Sequence, residues 1–288
     1  MEPVRIAAEG LAASIKPAGA ELCRLQDRAG RDYLWNAGPA WPRYAPVLFP
    51  IIGRLAGDAY RHAGQTYSMR QHGFARDRDF RLVAQATDRC TFRLEDDAAS
   101  RASYPFAFGL ELHYAVAGTR LRVEYRLENP GKAPLPASLG AHPAFRWPLP
   151  GAEGQPHALD FDLPEPAPVR RLAAGLLRPA PLPSPVQGRH LPLAEALFAE
   201  DALILDGIAS RGLTYGPPGG PRLRFDFEGF DVLGLWSKPG AGFLCIEPWC
   251  GFSSPEGWDG EFAAKPGMLS VPPGGSIRAA WSLALPTD

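Results

Sequence analysis

The stretch LELHYAVAGTRLRVEYRLEN, residues 110–129, decides the fold. In its second half Leu121, Val123, Tyr125 and Leu127 alternate with Arg122, Glu124, Arg126 and Glu128. One face is apolar and the other charged, as a half-buried β-strand requires. Leu110, Leu112, Tyr114 and Val116 repeat the alternation just before it, and Ala117-Gly118-Thr119 supplies a short turn. The two runs therefore read as an antiparallel hairpin. Working outward, Leu223, Phe225 and Phe227 form another such run, as do Ile277, Ala279, Trp281, Leu283 and Leu285. Between the runs lie proline- and glycine-rich segments such as PLPGAEGQP at 148–156, RPAPLPSPVQG at 178–188 and YGPPGGP at 215–221, which read as loops. One short helix is expected in LPLAEALFAED, 191–201. The pattern predicts an all-β protein, most simply a large antiparallel β-sandwich spanning 1–288 as one domain without a dividing linker.

Composition narrows the function. With 45% hydrophobic and 21% charged residues the chain can bury a sizeable core. Its 30 basic and 31 acidic residues include no basic block that would track a phosphate backbone, so no nucleic-acid partner is expected. The N-terminal stretch MEPVRIAAEGLAASIKPAGAEL lacks a basic start followed by an apolar run, and no segment approaches the roughly 20 apolar residues of a membrane span. A cytoplasmic protein that does not enter membranes is expected, as a monomer or homodimer with a small-molecule ligand. Cys23, Cys90, Cys245 and Cys250 are too few and scattered for a disulfide framework and read as free thiols. Cys245 and Cys250, at C-x4-C spacing, lack the second Cys/His pair of a zinc finger. No metal or cofactor is expected.

Familiar catalytic signatures are missing: there is no G-x-S-x-G, Walker A or H-E-x-x-H, and GAGFLC at 240–245 fails G-x-G-x-x-G at Cys245. Four stretches combine a titratable group with turn or aromatic residues: FPIIGRL with Arg54, QHGFAR with His72 and Arg76, GAHPAF with His142, and CIEPWCG with Glu247. Gly140 and Ala141 allow close approach to His142, and Pro143 biases it to an extended strand end. Glu247 lies in the apolar run FLCIEPW, where a carboxylate faces desolvation unless it serves a site or pairs with an arginine. Trp249 is either core or a platform for a sugar's apolar ring face. An imidazole and a carboxylate together supply a general acid and a general base, which suits proton shuttling on a small hydroxylated substrate. A glycoside hydrolase would need two carboxylates, and Glu247 has no acidic partner in its motif. His62, His113, His157 and His190 read as surface or structural histidines.

FPIIGRL, HGFAR, SLGAHPAF, WSKPG and CIEPW, in that order, resemble the aldose 1-epimerase (mutarotase) family, particularly its bacterial members. The resemblance implies an isomerase on a galactose mutarotase-like supersandwich, with the sugar in an open cleft on one sheet. It implies that Glu247 takes the proton from the C1 hydroxyl while His142 protonates the ring oxygen. The pyranose opens to the aldehyde, and reclosure after rotation about C1–C2 gives the other anomer. His72 and Arg54 would orient the sugar, with Arg76 as a second binding charge. The aspartate that binds sugar hydroxyls in the family is matched by order along the chain to Asp201, which reads equally as a cap or a solvated acid. HGFAR is similar to the hexose-6-phosphate mutarotase form, which puts Arg54, Arg76 and Lys238 forward as phosphate-facing cations. A non-catalytic sugar-binding protein on the same fold is the alternative.

Overall fold

A computed structural model describes residues 2–286. The hairpin read from 110–129 lies inside a nine-stranded antiparallel sheet, counted among the described residues. From one edge the sheet runs His190–Pro192, Ala158–Phe161, Gly212–Gly216, Leu223–Glu228, Ser276–Ala284, Arg120–Glu128, Gly109–Ala117, Arg89–Glu95 and Arg81–Gln85. Ala117 pairs directly with Arg120, so the turn narrows to Gly118-Thr119, and Gly118 takes a φ of 55° that suits glycine. Leu121, Val123, Tyr125 and Leu127 are all buried. The alternate residues carry a lattice of ion pairs on the opposite face, with Arg93 held by Glu111 and Glu128 at 2.7 and 2.8 Å.

A second antiparallel sheet runs Leu203–Leu205, Val232–Trp236, Phe243–Cys250, Leu139–Ala141 and Val47–Leu48, with Ala144–Arg146 also paired to Phe243–Cys250. Strand Phe243–Cys250 is buried along its whole length because both of its faces are covered. Leu244 and Ile246 enter the apolar core shared with the larger sheet, where Phe145 of the second sheet meets Phe225 edge-on. Phe243, Cys245 and Trp249 belong to separate apolar clusters on the other face, and Glu247 shares that face by the two-residue period of a strand. A smaller sheet of Val4–Ala8, Leu11–Lys16 and Glu21–Asp27 packs against strands Arg89–Glu95, Gly109–Ala117 and Arg120–Glu128 of the nine-stranded sheet.

The helix expected over 191–201 does not form. His190–Pro192 is instead an edge strand, and only a 3-10 turn, Glu195–Phe198, follows. Ala194 is extended, with no side-chain cap on the turn, and Asp201 is left-handed at φ 67°. Too few residues remain between them to repay helix nucleation. The one α-helix among the described residues is Ala98–Arg101, closed by a capping box in which Asp97 accepts from the Ser100 N–H. No helix among the described residues is long and apolar enough to cross a membrane.

Candidate active site

Register on the second sheet brings the imidazole and the carboxyl together. Gly140 pairs with Trp249 and Ala144 with Cys245. The ladder breaks at Pro143, but continuing its register sets His142 opposite Glu247. Nε2 of His142 stands 3.1 Å from Oε2 of Glu247. The contact lacks the alignment of a hydrogen bond, leaving Oε2 of Glu247 and Nδ1 of His142 buried without partners. Buried polar atoms are rarely left so. The imidazole is held by aromatic neighbours: Trp41 stacks on it at 5.0 Å, and Trp236 and His72 meet it edge-on at 5.9 and 5.6 Å.

Electrostatics push the pair toward its uncharged form. Burial, reinforced by the nearby Asp201, raises the Glu247 carboxyl well above the usual range. Burial and the Arg76 charge lower His142 to about 3. Burial therefore favours the uncharged form of both groups.

Trp249 rests where two glycines allow it. A Cβ at Gly234 would come within 2.4 Å of its ring, and one at Gly140 within 2.7 Å. His72 reaches the site from a left-handed turn, with φ 64° at His72 and 70° at Gly73. Gly73 is obligatory there, since a Cβ would lie 2.2 Å from the Phe49 carbonyl. The Gly53 N–H donates to Nδ1 of His72 at 3.1 Å, and the His72 N–H donates back to the Gly53 carbonyl at 2.8 Å. A backbone N–H can only donate, so Nδ1 of a neutral His72 is the acceptor and its proton sits on Nε2. Burial keeps that ring neutral.

These residues line one cleft of about 260 Å³, near the lower end for small-molecule sites. His72, Arg76, His142, Asp201, Glu247 and Trp249, all singled out in the sequence, lie on its wall. Arg76 is largely buried, donates to the Gln71 carbonyl at 2.7 Å, and keeps its Nε without a partner. Asp77, its neighbour, is bonded by Arg43 at 2.8 Å and stands 3.9 Å from Arg76. Asp201 brings into the cleft the second carboxylate that the Glu247 motif lacked. Its Oδ1 accepts from the Ala202 N–H at 2.7 Å.

Two expected cations stay outside. Arg54 is exposed and its guanidinium is bonded through Nε and Nη2 to Asp58, each at 2.8 Å. The turn at Gly57 and Asp58, both with positive φ, folds that carboxylate back onto the arginine. Lys238 donates to the Ala40 carbonyl at 3.1 Å, away from the cleft wall. Conversely, Trp41, Gln71, Trp236 and Ser253 line the cleft without having been singled out. Trp236 and Gln71 lie in quoted motifs, but Trp41, in AWPRY, has no neighbour that separates it from a core tryptophan.

The aldose 1-epimerase profile matches residues 3–171, and the chain belongs to the aldose 1-epimerase family. Among its relatives is Protein LacX, chromosomal, of Lactococcus lactis subsp. lactis, 33% identical over 259 residues, which cover 85% of this chain and 87% of that protein. The fold matches the galactose mutarotase related enzyme of Lactobacillus acidophilus with a TM-score of 0.90 at 28% identity, over 99% of this chain and 97% of that one. It also matches a galactose mutarotase-like protein of Lactobacillus casei ATCC 334 with a TM-score of 0.91 at 28% identity, over 98% and 99% of the two chains.

Proposed function

We propose that the protein is an aldose 1-epimerase, interconverting the α and β anomers of an aldohexose by acid–base-catalysed opening and closing of the ring. The observation that carries this reading is the His142–Glu247 pair, 3.1 Å apart, with partnerless polar atoms on the wall of a cleft of monosaccharide scale. Glu247 takes the proton of the C1 hydroxyl while His142 gives one to the ring oxygen, and the C1–O5 bond breaks to leave the open-chain aldehyde. Rotation about C1–C2 presents the other face of the carbonyl. The same two transfers, reversed, close the ring. The working ion pair differs from the resting neutral pair only in one proton moved across that 3.1 Å gap, so neither proton need come from solvent. Nε2–H of His72 would donate to a sugar oxygen, Asp201 would accept from hydroxyls, and the tryptophans would cover the apolar ring face.

The four cysteines, unpaired in the structure, suit a reducing compartment, and the cytoplasm is the location this reading assigns. The test is exchange spectroscopy or polarimetry on pure anomers of glucose, galactose and glucose 6-phosphate. Anomer interconversion faster than in buffer alone is the expected result. Sugar-induced quenching of tryptophan fluorescence without any acceleration would make the protein a sugar-binding module.

The largely buried Arg76, which lines the cleft and has Arg43 nearby, favours a second reading in which the sugar carries a phosphate. In that case kcat/KM should be higher for glucose 6-phosphate than for glucose, and the advantage should fall with added salt and with Arg76→Ala. Equal values throughout would leave a neutral aldose as the substrate.

A further inference from the structure

Cys245 lies two residues along the strand from Glu247, on the same face of the sheet but fully buried, and Ala144 pairs with it. A nitrogen of His142, the sulfur of Cys245 and a carboxylate oxygen of Glu247 all lie within 4.8 Å of one another, and all three residues are buried. Cys245 otherwise belongs to an apolar cluster with Ala144 and Phe243, against which Trp35, Trp41 and Trp236 pack.

We propose that His142, Cys245 and Glu247 form an inhibitory site for a thiophilic divalent cation, zinc above all, which silences the acid–base pair by coordinating it. One nitrogen, one sulfur and one oxygen are the donor types zinc accepts, and three protein ligands leave its fourth position for a water or another small donor. Zinc–ligand bonds of about 2.0–2.3 Å set tetrahedral ligand atoms about 3.3–3.7 Å apart. The triad therefore closes by about an ångström at its widest. The partnerless Oε2 of Glu247 is the second indication, since coordination would satisfy a buried atom that the free protein leaves unpaired. Binding is not a redox step: the thiol proton is released to solvent as the sulfur–zinc bond forms, together with any proton on the carboxyl. Sulfur in the donor set selects zinc and cobalt over magnesium and calcium. Because two of the three ligands are the residues proposed to handle the sugar's protons, sugar and metal exclude each other. That last consequence rests on the proposed function; the metal site itself does not.

Cobalt(II) is the probe, because a cobalt–thiolate bond has a charge-transfer absorption in the near ultraviolet. Chelator-stripped protein is expected to bind one equivalent with that band, zinc to displace it, and calcium to leave it unchanged. Cys245→Ser should abolish the band, whereas Cys23→Ser, at the half-exposed thiol, should keep it. If Cys245→Ser fails to fold, His142→Asn serves in its place and should weaken cobalt binding more than about 10-fold. Zinc should also inhibit anomer exchange competitively with sugar, with recovery on adding EDTA. A wild-type protein without the band, or a band that survives Cys245→Ser or is lost with Cys23→Ser, would overturn the site. Absence of anomer exchange would count against the proposed function while leaving the spectral result intact.

Discussion

At the scale of single residues, the proposed reaction rests on two side chains whose surroundings disfavour charge. Glu247→Gln and His142→Asn are each expected to lower the anomer-exchange rate by about 100-fold or more, the usual scale for losing a general acid or base. Purified, folded variants measured by exchange spectroscopy decide this, and near-normal turnover would remove the residue from the mechanism. The pH dependence follows from the direction of the shifts. A carboxyl raised by burial keeps its proton to higher pH, and an imidazole lowered to about 3 stays neutral down to that point. His142 therefore stays uncharged through the weakly acidic range. The profile of kcat/KM should then stay flat on acidification from pH 7 to about 5, where a histidine of ordinary pKa, about 6.5, would already have charged. An acid limb centred near 6.5 would contradict this picture of the cleft. Residue identity alone was a weaker guide to direction. Arg54 sits in the expected motif, yet a left-handed turn returns Asp58 to its guanidinium, and such a turn cannot be read from neighbouring letters when the residue adopting it is an aspartate.

Elements explain why some of the site was legible and some was not. Period-2 alternation exposed the hairpin of 110–128 because one face of that sheet meets the core and the other meets water. Strand Phe243–Cys250 is covered on both sides, so its letters form a continuous apolar run that hides which face Glu247 takes. Only pairing across the sheet decides it. The run 191–201 misled for the opposite reason: its alanines and leucines have helical propensity, but Pro192 sits on an edge strand and Asp201 is left-handed. The close fit of Trp249 over Gly234 carries a prediction of its own. Gly234→Ala is expected to destabilise the fold by about 1–3 kcal/mol, since the ring cannot stay in place with a methyl group at 2.4 Å. Denaturant unfolding of the variant measures it, and an unchanged midpoint would show that the ring has another seat. Trp41 stayed invisible because its partner, His142, arrives from the break between two strands about a hundred residues away.

For the whole molecule, the consequence lies in the place of strand Ser276–Ala284. It pairs with Arg120–Glu128 on one side and Leu223–Glu228 on the other, near the middle of the nine-stranded sheet. Removing residues 276–286 should therefore leave two open sheet edges facing each other across an uncovered core. The expected outcome is aggregated protein, read by sedimentation, whereas a soluble, monodisperse product would show that the sheet closes without its central strand. The same arrangement sets a clock on biosynthesis. At about 5–20 residues per second, a ribosome that has just finished the hairpin at Glu128 needs roughly 7–30 s more to make the strand that will lie beside it. For that interval the nascent chain carries a half-built sheet with a bare edge, and holding that edge apart from neighbouring polypeptides falls to the cell's chaperones.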